Sequence, residues 1–272
     1  MLHADRESIH VVELSTTSSR ISSNRAFVDH LVIDHGPSEL LGPFFLEADA
    51  TARRAGVLLT IGDFAELVAL NNGNRDNWGP LIPLFDPANG PLHEDHAFCL
   101  IGRNAAGEAV AAHAVRLFHW IGTSFTEEAE SLRLFYADAA VRKYPQETCI
   151  VTAPSAREVT GHVAYSGAAW VRPDYRGRSL ALILPRLAKA YAFTRWRPDF
   201  IVSWMTEATY KRGLIAHVGY TTVDWDVQMR NSFVGNLRFA FLSMRERGLL
   251  DYVRAFSASL AQIDGSIGKR RA

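Results

Sequence analysis

Residues 172–181 read RPDYRGRSLA and lie between a strand-like stretch and a long apolar-striped helix. A helix start presents amide N–H groups without intrahelical partners, together with a partial positive charge. That combination binds anions, phosphate above all. The helix is expected to begin near Ser179 or Leu180, so the amides of Gly177, Arg178, Ser179, Leu180 and Ala181 can converge on one anion. Gly177 admits a left-handed backbone. Arg176 and Arg178 add charge that pairs with phosphate oxygens. The plain alternative is a capped helix with solvated arginines on its turn, and spacing alone favours that alternative.

Other residues of reactive type carry less. His162 and Tyr165 fall on the strand-like stretch, and His113 and His119 on a hairpin. Each is a candidate base, although a lone histidine on a strand is more often structural. HEDH at 93–96 lacks the helical His-Glu-x-x-His spacing and reads as a solvated loop, so no metal is assigned. YSG at 165–167 lacks the strand-to-helix turn of a nucleophile elbow. Trp78, Phe85, Phe118 and Trp120 can wall an apolar pocket, with core packing as the default.

The elements that must position these groups follow from pattern. Residues 8–15, SIHVVELS, suit a strand, and 15–24 a loop or helix cap. A helix is expected over 43–60, with Phe44, Phe45, Ala48, Ala52, Ala55 and Leu59 apolar and Gly56 weakening its end. Another starts at GDF, where Asp63 caps and Glu66 follows three residues later. Residues 71–92 are rich in proline and glycine and read as one long loop, of the kind that forms lids or binding walls. HAFCLIGR and EAVAAHAVRLFHW flank NAAG as a β-hairpin. A helix is expected over 124–138 behind a Ser124 cap. ETCIVTAP and GHVAYSGAAWV suit strands. Leu180, Ile183, Leu184, Leu187, Ala188 and Tyr191 stripe the best helix, 180–196, which Pro185 should kink unless it lies in the first turn. DFIVSWM reads as a buried strand. One helix is expected over TEATYKRGLIAHVGY, capped by Gly219. TTVDWDVQM and NLRFAFLSM form a final strand pair, a closing helix follows, and the tail GKRRA frays.

The 272 residues carry equal numbers of acids and bases. That balance argues against a general nucleic-acid face, which needs a basic excess. Two cysteines, Cys99 and Cys149, make no disulfide framework and suit small buried residues in a reducing cytoplasm. No apolar run is long enough for a membrane span, and the N-terminus has no signal-peptide core.

The strand ending at Val171, then Arg172 and Pro173, then Arg176, Gly177, Arg178, Ser179, Leu180 and Ala181 opening a helix, resembles motif A of the GNAT superfamily. These are the acyl-CoA-dependent N-acetyltransferases, whose pattern is Val-x-Pro, then Arg/Gln-x-x-Gly-x-Gly/Ala. The resemblance continues through the buried strand, the helix ending HVGY, which is similar to the family's Gly-Phe ending, and the strand pair. It spans roughly residues 95–245 in order. It implies a mixed α/β fold, with a GNAT-like central sheet flanked by helices, extra N-terminal helices and a C-terminal helix. Residues 1–272 would form a single domain, with 1–94 variable, 95–245 the acyl-CoA-binding core, and 246–272 the closing helix and tail.

The same resemblance implies that the amides at 177–181 hold the CoA pyrophosphate. The strand AAWV would offer backbone groups to the pantetheine arm, with Ala169 near the acyl carbonyl and Val171 further along. An amide aimed at that carbonyl stabilises the charge developing on its oxygen. Two departures stand out. Ser179 replaces a usual glycine, where its Cβ crowds the pyrophosphate or its hydroxyl caps the helix or donates to phosphate. Ile215 and Ala208 stand where the family carries a tyrosine, which protonates the leaving thiolate, and an asparagine. Tyr210 is the nearest hydroxyl in sequence. On one continuous helix it would sit about 140° around from Ile215, so packing is its favoured role. Tyr165 remains a further hydroxyl candidate.

The implied function is transfer of an acyl group, acetyl first, from acyl-CoA to a small-molecule or peptide amine. It would proceed by direct attack in a ternary complex, without metal, nucleic acid or membrane. The missing tyrosine motivates the alternative, a catalytically inactive module that binds CoA as a sensor or scaffold. The family's members are often dimers, and no residue here decides between monomer and homodimer.

Overall fold

The computed structural model describes residues 26–269, so the strand and loop expected within 8–24 and the last residues of the tail lie outside the described residues. The chain runs from helix α1 (Ser38–Arg54) through strand β1 (Leu58–Gly62) to helices α2 (Phe64–Gly73) and α3 (Arg75–Trp78). Then come β2 (Ala97–Arg103), β3 (Ala109–Trp120), α4 (Phe125–Glu130), α5 (Ala139–Arg142), β4 (Thr148–Val151) and β5 (Gly161–Val171). The remainder is α6 (Leu180–Trp196), β6 (Phe200–Thr206), α7 (Glu207–Lys211), α8 (Ile215–Val218), β7 (Thr222–Ser232), β8 (Gly235–Met244) and α9 (Glu246–Lys269). Eight strands form one mixed sheet in the order β1-β2-β3-β5-β6-β8-β7-β4. Every neighbouring pair is antiparallel except β5 and β6, which α6 joins by a crossover. This is the mixed α/β sheet flanked by helices that the resemblance implies.

Several local expectations need correction. The first helix begins earlier, at Ser38, and ends at Arg54 instead of running to Thr60. Gly56 turns left-handed (φ +79°), and the amides of Gly56 and Val57 close back on the carbonyls of Arg53 and Ala52. That glycine-terminated motif stops a helix. Leu59 and Thr60 become strand, paired with Gly102 and Ile101. Ser124 caps with a full capping box, yet the helix behind it ends at Glu130 and not near 138, because Leu132 is left-handed (φ +63°). The single helix expected over 206–220 is two, broken where Gly213 takes φ +76°. The long loop at 71–92 contains α3 and two 3-10 turns, Pro83–Phe85 and Pro87–Asn89. Asp63 does cap α2, accepting from the Glu66 amide at 2.7 Å. Pro185 is the sixth residue of α6, inside the helix.

The sheet buries both faces. On one, Leu180, Ile183, Leu184 and Leu187 of α6 pack with Phe44, Phe45 and Ala48 of α1 and with Leu249 and Val253 of α9. On the other, Tyr165 packs with Phe85, Phe125, Phe135, Phe239 and Phe241. Each fully buried side chain of this size stabilises by about 1.5–3 kcal/mol. Among the described residues no helix is long and apolar enough to cross a membrane.

One charge sits inside the first of these cores. Lys189 of α6 is fully buried (0% exposed). Its Nζ donates to the Val218 carbonyl at the end of α8 and lies 4.3 Å from the Tyr220 ring centre and 4.8 Å from that of Tyr252. Burial, with the neighbouring Arg186 charge, brings its pKa down to about 7 from 10.5. The unfolded chain therefore binds a proton at Lys189 between pH 7 and 10.5 that the folded chain does not. Stability must rise with pH across that window, by up to about 1.4 kcal/mol per unit. Urea unfolding at pH 7, 8 and 9 should show this slope in the wild type and a flatter one in Lys189→Met. Equal slopes would mean that the buried amine does not titrate there.

Candidate functional site

The turn that opens α6 is built from two left-handed residues around Arg178. A 3-10 turn, Pro173–Tyr175, ends β5's run, then Gly177 takes φ +79° and Ser179 φ +66°. Successive amides in such a reversal point to one concave side. The amides of Gly177, Arg178, Ser179, Leu180 and Ala181 meet no acceptor among the described residues, whereas those of Leu182 and Ile183 return to the Ser179 carbonyl at 3.0 Å. Gly177 has open space where a Cβ would go. The Ser179 hydroxyl makes no capping bond, so the capping role expected of it is not the one it plays. Its left-handed backbone is one that glycine adopts without strain.

The arginines of the turn are held by carbonyls and a ring. Arg176 donates to the carbonyls of Val171 (3.2 Å) and Asn77 (3.3 Å). Arg178 donates to Asp174 O at 3.2 Å and Ala55 O at 3.4 Å, and lies 4.3 Å from the Tyr175 ring centre. Arg172 approaches the same ring at 5.1 Å and is fixed by Asp174 (2.8 Å) and Glu108 (3.1 Å). Its hydrogen bond lowers the pKa of Asp174. Asn104 and then Arg172 do the same for Glu108. All these contacts are exposed and individually weak. Arg176 and Arg178 keep N–H groups at the rim of the turn, where an anion would sit.

Beside the turn the sheet opens. β5 and β6 pair at only three positions, Val163 with Phe200, Ala164 with Ile201 and Tyr165 with Val202. Beyond them β6 stays paired with β8 as far as Thr206, while β5 continues to Val171 along β3. A gap in the pairing results, about 20 Å of strand at 3.3 Å per residue, that starts at Ser166 and Ser203 and ends at the α6 turn. Within it β5 carries a bulge. Trp170 pairs with Ala112 and Gly167 with Ala114, so Ala168 and Ala169 oppose His113 alone. Ala168 is left-handed (φ +54°). The peptide groups at 168 and 169 thereby leave the ladder at the side of the gap.

The predicted site residues divide accordingly. Arg176, Gly177, Arg178, Ser179, Leu180 and Ala181 share the turn, Ala169 and Val171 lie on the part of β5 that borders the gap, and Tyr165 is the last β5 residue still paired with β6. Tyr210 does not join them. It packs edge-to-face on Trp225 at 5.2 Å, in a small cluster with Met205, Ala240 and Leu242. Ile215 packs in that cluster too, from a different helix, so the rotation expected between the two on one helix does not apply. Tyr165 is fully buried, which drives its pKa well above 10, so the hydroxyl stays protonated, and among the described residues it meets no acceptor. His113 is buried, with Nε2 2.8 Å from the Ser166 hydroxyl, and desolvation brings its pKa to about 3. Cys99 and Cys149 are free and buried, and burial pushes the Cys149 thiol up to about 12. Neither thiol is a nucleophile at neutral pH.

Sequence reasoning missed Ser166, Ser203, Trp204 and Tyr220, which surround the foot of the gap. Nothing in their spacing marks them, because the gap arises from where two strands stop pairing. It also missed the tether over the gap's mouth. Trp170 Nε1 donates to Asn77 Oδ1 at 2.6 Å, and the Trp170 and Trp78 rings stack at 4.9 Å. Among the described residues no group of three His, Cys, Asp or Glu side chains is placed to hold a metal.

No family model matches the sequence, and no curated protein does. Among solved structures the chain is similar to the spermidine/spermine N-acetyltransferase SpeG from Vibrio cholerae in complex with manganese ions, at 11% identity. That match covers 74% of this chain and 98% of that one with a TM-score of 0.43. It is also similar to a dodecameric spermidine N-acetyltransferase from Vibrio cholerae in an intermediate state, at 12% identity over 70% of this chain and 94% of that one, with a TM-score of 0.40.

A left-handed residue other than glycine costs about 1 kcal/mol. Ser179→Gly should therefore raise the unfolding free energy by about that amount in urea titration. A loss of stability would show that the hydroxyl has a structural partner after all.

Proposed function

We propose that the chain is an acyl-CoA-dependent N-acyltransferase of the GNAT kind, moving an acetyl group from acetyl-CoA to an amine. The observation that carries the reading is the row of five amides without acceptors, at 177–181, set at the mouth of the gap between β5 and β6. A pyrophosphate on those amides leaves its pantetheine arm only one extended route into the sheet, along residues 171–166. Strand β5 offers main-chain groups on that route because β6 does not use them.

In this reading Arg176 and Arg178 turn from carbonyls to phosphate oxygens, and the bulge at Ala168 and Ala169 places peptide groups near the thioester. The amine nitrogen bonds to the carbonyl carbon, the C–S bond breaks, and the proton lost from nitrogen ends on the thiol. Tyr165 stays protonated at neutral pH and does not remove that proton. His113 lies 2.8 Å from the Ser166 hydroxyl, but the burial that holds its pKa near 3 makes it too weak a base to take that proton. Residues 1–272 act as one unit around the acyl-CoA-binding core at 95–245.

A second reading has its own observation. Ile215 and Ala208 supply no hydroxyl or amide where the family has them, and Tyr210 is packed on Trp225. A protein that binds acyl-CoA without turnover fits those facts.

Calorimetric titration of acetyl-CoA and CoA into the wild type and Gly177→Asp tests both. We expect dissociation constants on the order of micromolar in the wild type and loss of binding when a carboxylate enters the turn. Acetyl transfer across an amine panel then separates enzyme from sensor. A wild type that binds neither nucleotide would end both readings.

A further inference from the structure

Three hydrogen-bond donors on adjacent strands have no acceptor among the described residues. Arg116 of β3 and Tyr165 of β5 are direct cross-strand partners, and the Tyr165 and Trp204 rings meet edge-to-face at 6.2 Å across β5 and β6. The Nε of Arg116, the hydroxyl of Tyr165 and the Nε1 of Trp204 are all buried, and none reaches a partner. All three residues project from the face opposite α6, since Tyr165 and Trp204 belong to that core and Arg116 lies over Phe118 at 4.9 Å. A buried donor left unmade costs about 1–3 kcal/mol. Each such group in a native structure calls for a reason, and three lie here on adjacent strands.

Arg116 is the more telling member. It is a half-buried cation, and among the described residues no carboxylate pairs with it. Its Nη1 donates to the Leu84 carbonyl at 2.9 Å. The acids set into the same core are engaged elsewhere, Glu147 by the Tyr136 hydroxyl at 2.9 Å and Glu128 by Arg133 at 2.7 Å. The surroundings are otherwise aromatic: Phe85 lies against Tyr165, and Phe135 and Phe239 against Trp204. The proposed acyl-CoA turn lies on the α6 face, so an acceptor must come to the gap from this one.

We propose that Arg116, Tyr165 and Trp204 form the acceptor subsite, and that the acceptor is an amine carrying a carboxylate on an apolar body, an apolar α-amino acid being the simplest member. This rests on the transferase reading above. One carboxylate oxygen pairs with the guanidinium of Arg116, in place of the Leu84 carbonyl. The other takes the Tyr165 hydroxyl and the Trp204 indole N–H. The amine, one carbon away, is held toward the gap. Entry requires the Pro83–Phe85 turn to move outward. A polyamine meets an unpaired cation here and no free acid.

The test uses the full chain, with L-phenylalanine, L-phenylalanine amide and spermidine as acceptors. It adds calorimetric titration of N-acetyl-L-phenylalanine into the CoA-loaded protein. Phenylalanine should exceed both the amide and spermidine in kcat/KM by about tenfold or more, the scale of one buried charge pair. Arg116→Gln should collapse that preference through KM, with CoA affinity retained. Tyr165→Phe, a milder change, should raise KM for phenylalanine alone. Equal use of the amide, preference for spermidine, or a preference that survives Arg116→Gln would overturn the proposal while leaving the transferase reading intact. A wild type that binds CoA and acylates nothing fails the transferase reading. The N-acetyl-phenylalanine titration then decides the subsite by itself, and binding that is absent or independent of Arg116 overturns it.

Discussion

The parallel pairing of β5 with β6 is the constraint on which the rest depends. It lasts for three residue pairs and then stops, although both strands continue. Parallel strands joined by a helix normally stay in register along their length. Here the neighbours on either side pull them apart: β6 follows β8, and β5 follows β3 through a bulge. The result is an interior edge, a stretch of strand main chain inside the sheet that no other strand uses. Unsatisfied main chain is costly away from water, and a fold keeps such an edge where something else pairs with it.

The turn at 176–181 and the gap belong to one device. Residues 172–175 reverse the chain, the left-handed pair Gly177 and Ser179 aim the amides, and α6 then crosses back over β5 to start β6. The position of this turn at the gap's mouth is thus a consequence of connectivity. The apolar stripe of α6 fixes the helix on the sheet, and α1 and α9 fix α6. The cationic side chains Arg186 and Lys189 extend that packing, since both lie over the ring of Tyr252.

How much of this was legible in the sequence follows from range. The turn, its arginines, the hairpin, the strand order after residue 95 and the Asp63 and Ser124 caps are local patterns, and short-range chemistry predicts them. Helix lengths failed where a left-handed residue intervened. Gly56 and Gly213 carried that signal openly, but Leu132 did not, because leucine gives no hint of a positive φ. The foot of the gap was not legible. Ser166, Ser203 and Trp204 gain their meaning from a strand that ceases to pair, and Arg116 from carboxylates that are absent around it. Lys189 sits in a helix buried on nearly every side, a pattern that a single apolar stripe does not reveal.

Asn77 links the two sides of the sheet. Its side chain receives the Trp170 indole and its carbonyl receives Arg176, so the segment covering the opposite face is moored to the turn that opens α6. A guanidinium drawn away from Asn77 would release that mooring, so the state of the turn on one side of the sheet bears on how firmly the segment covering the other side is held.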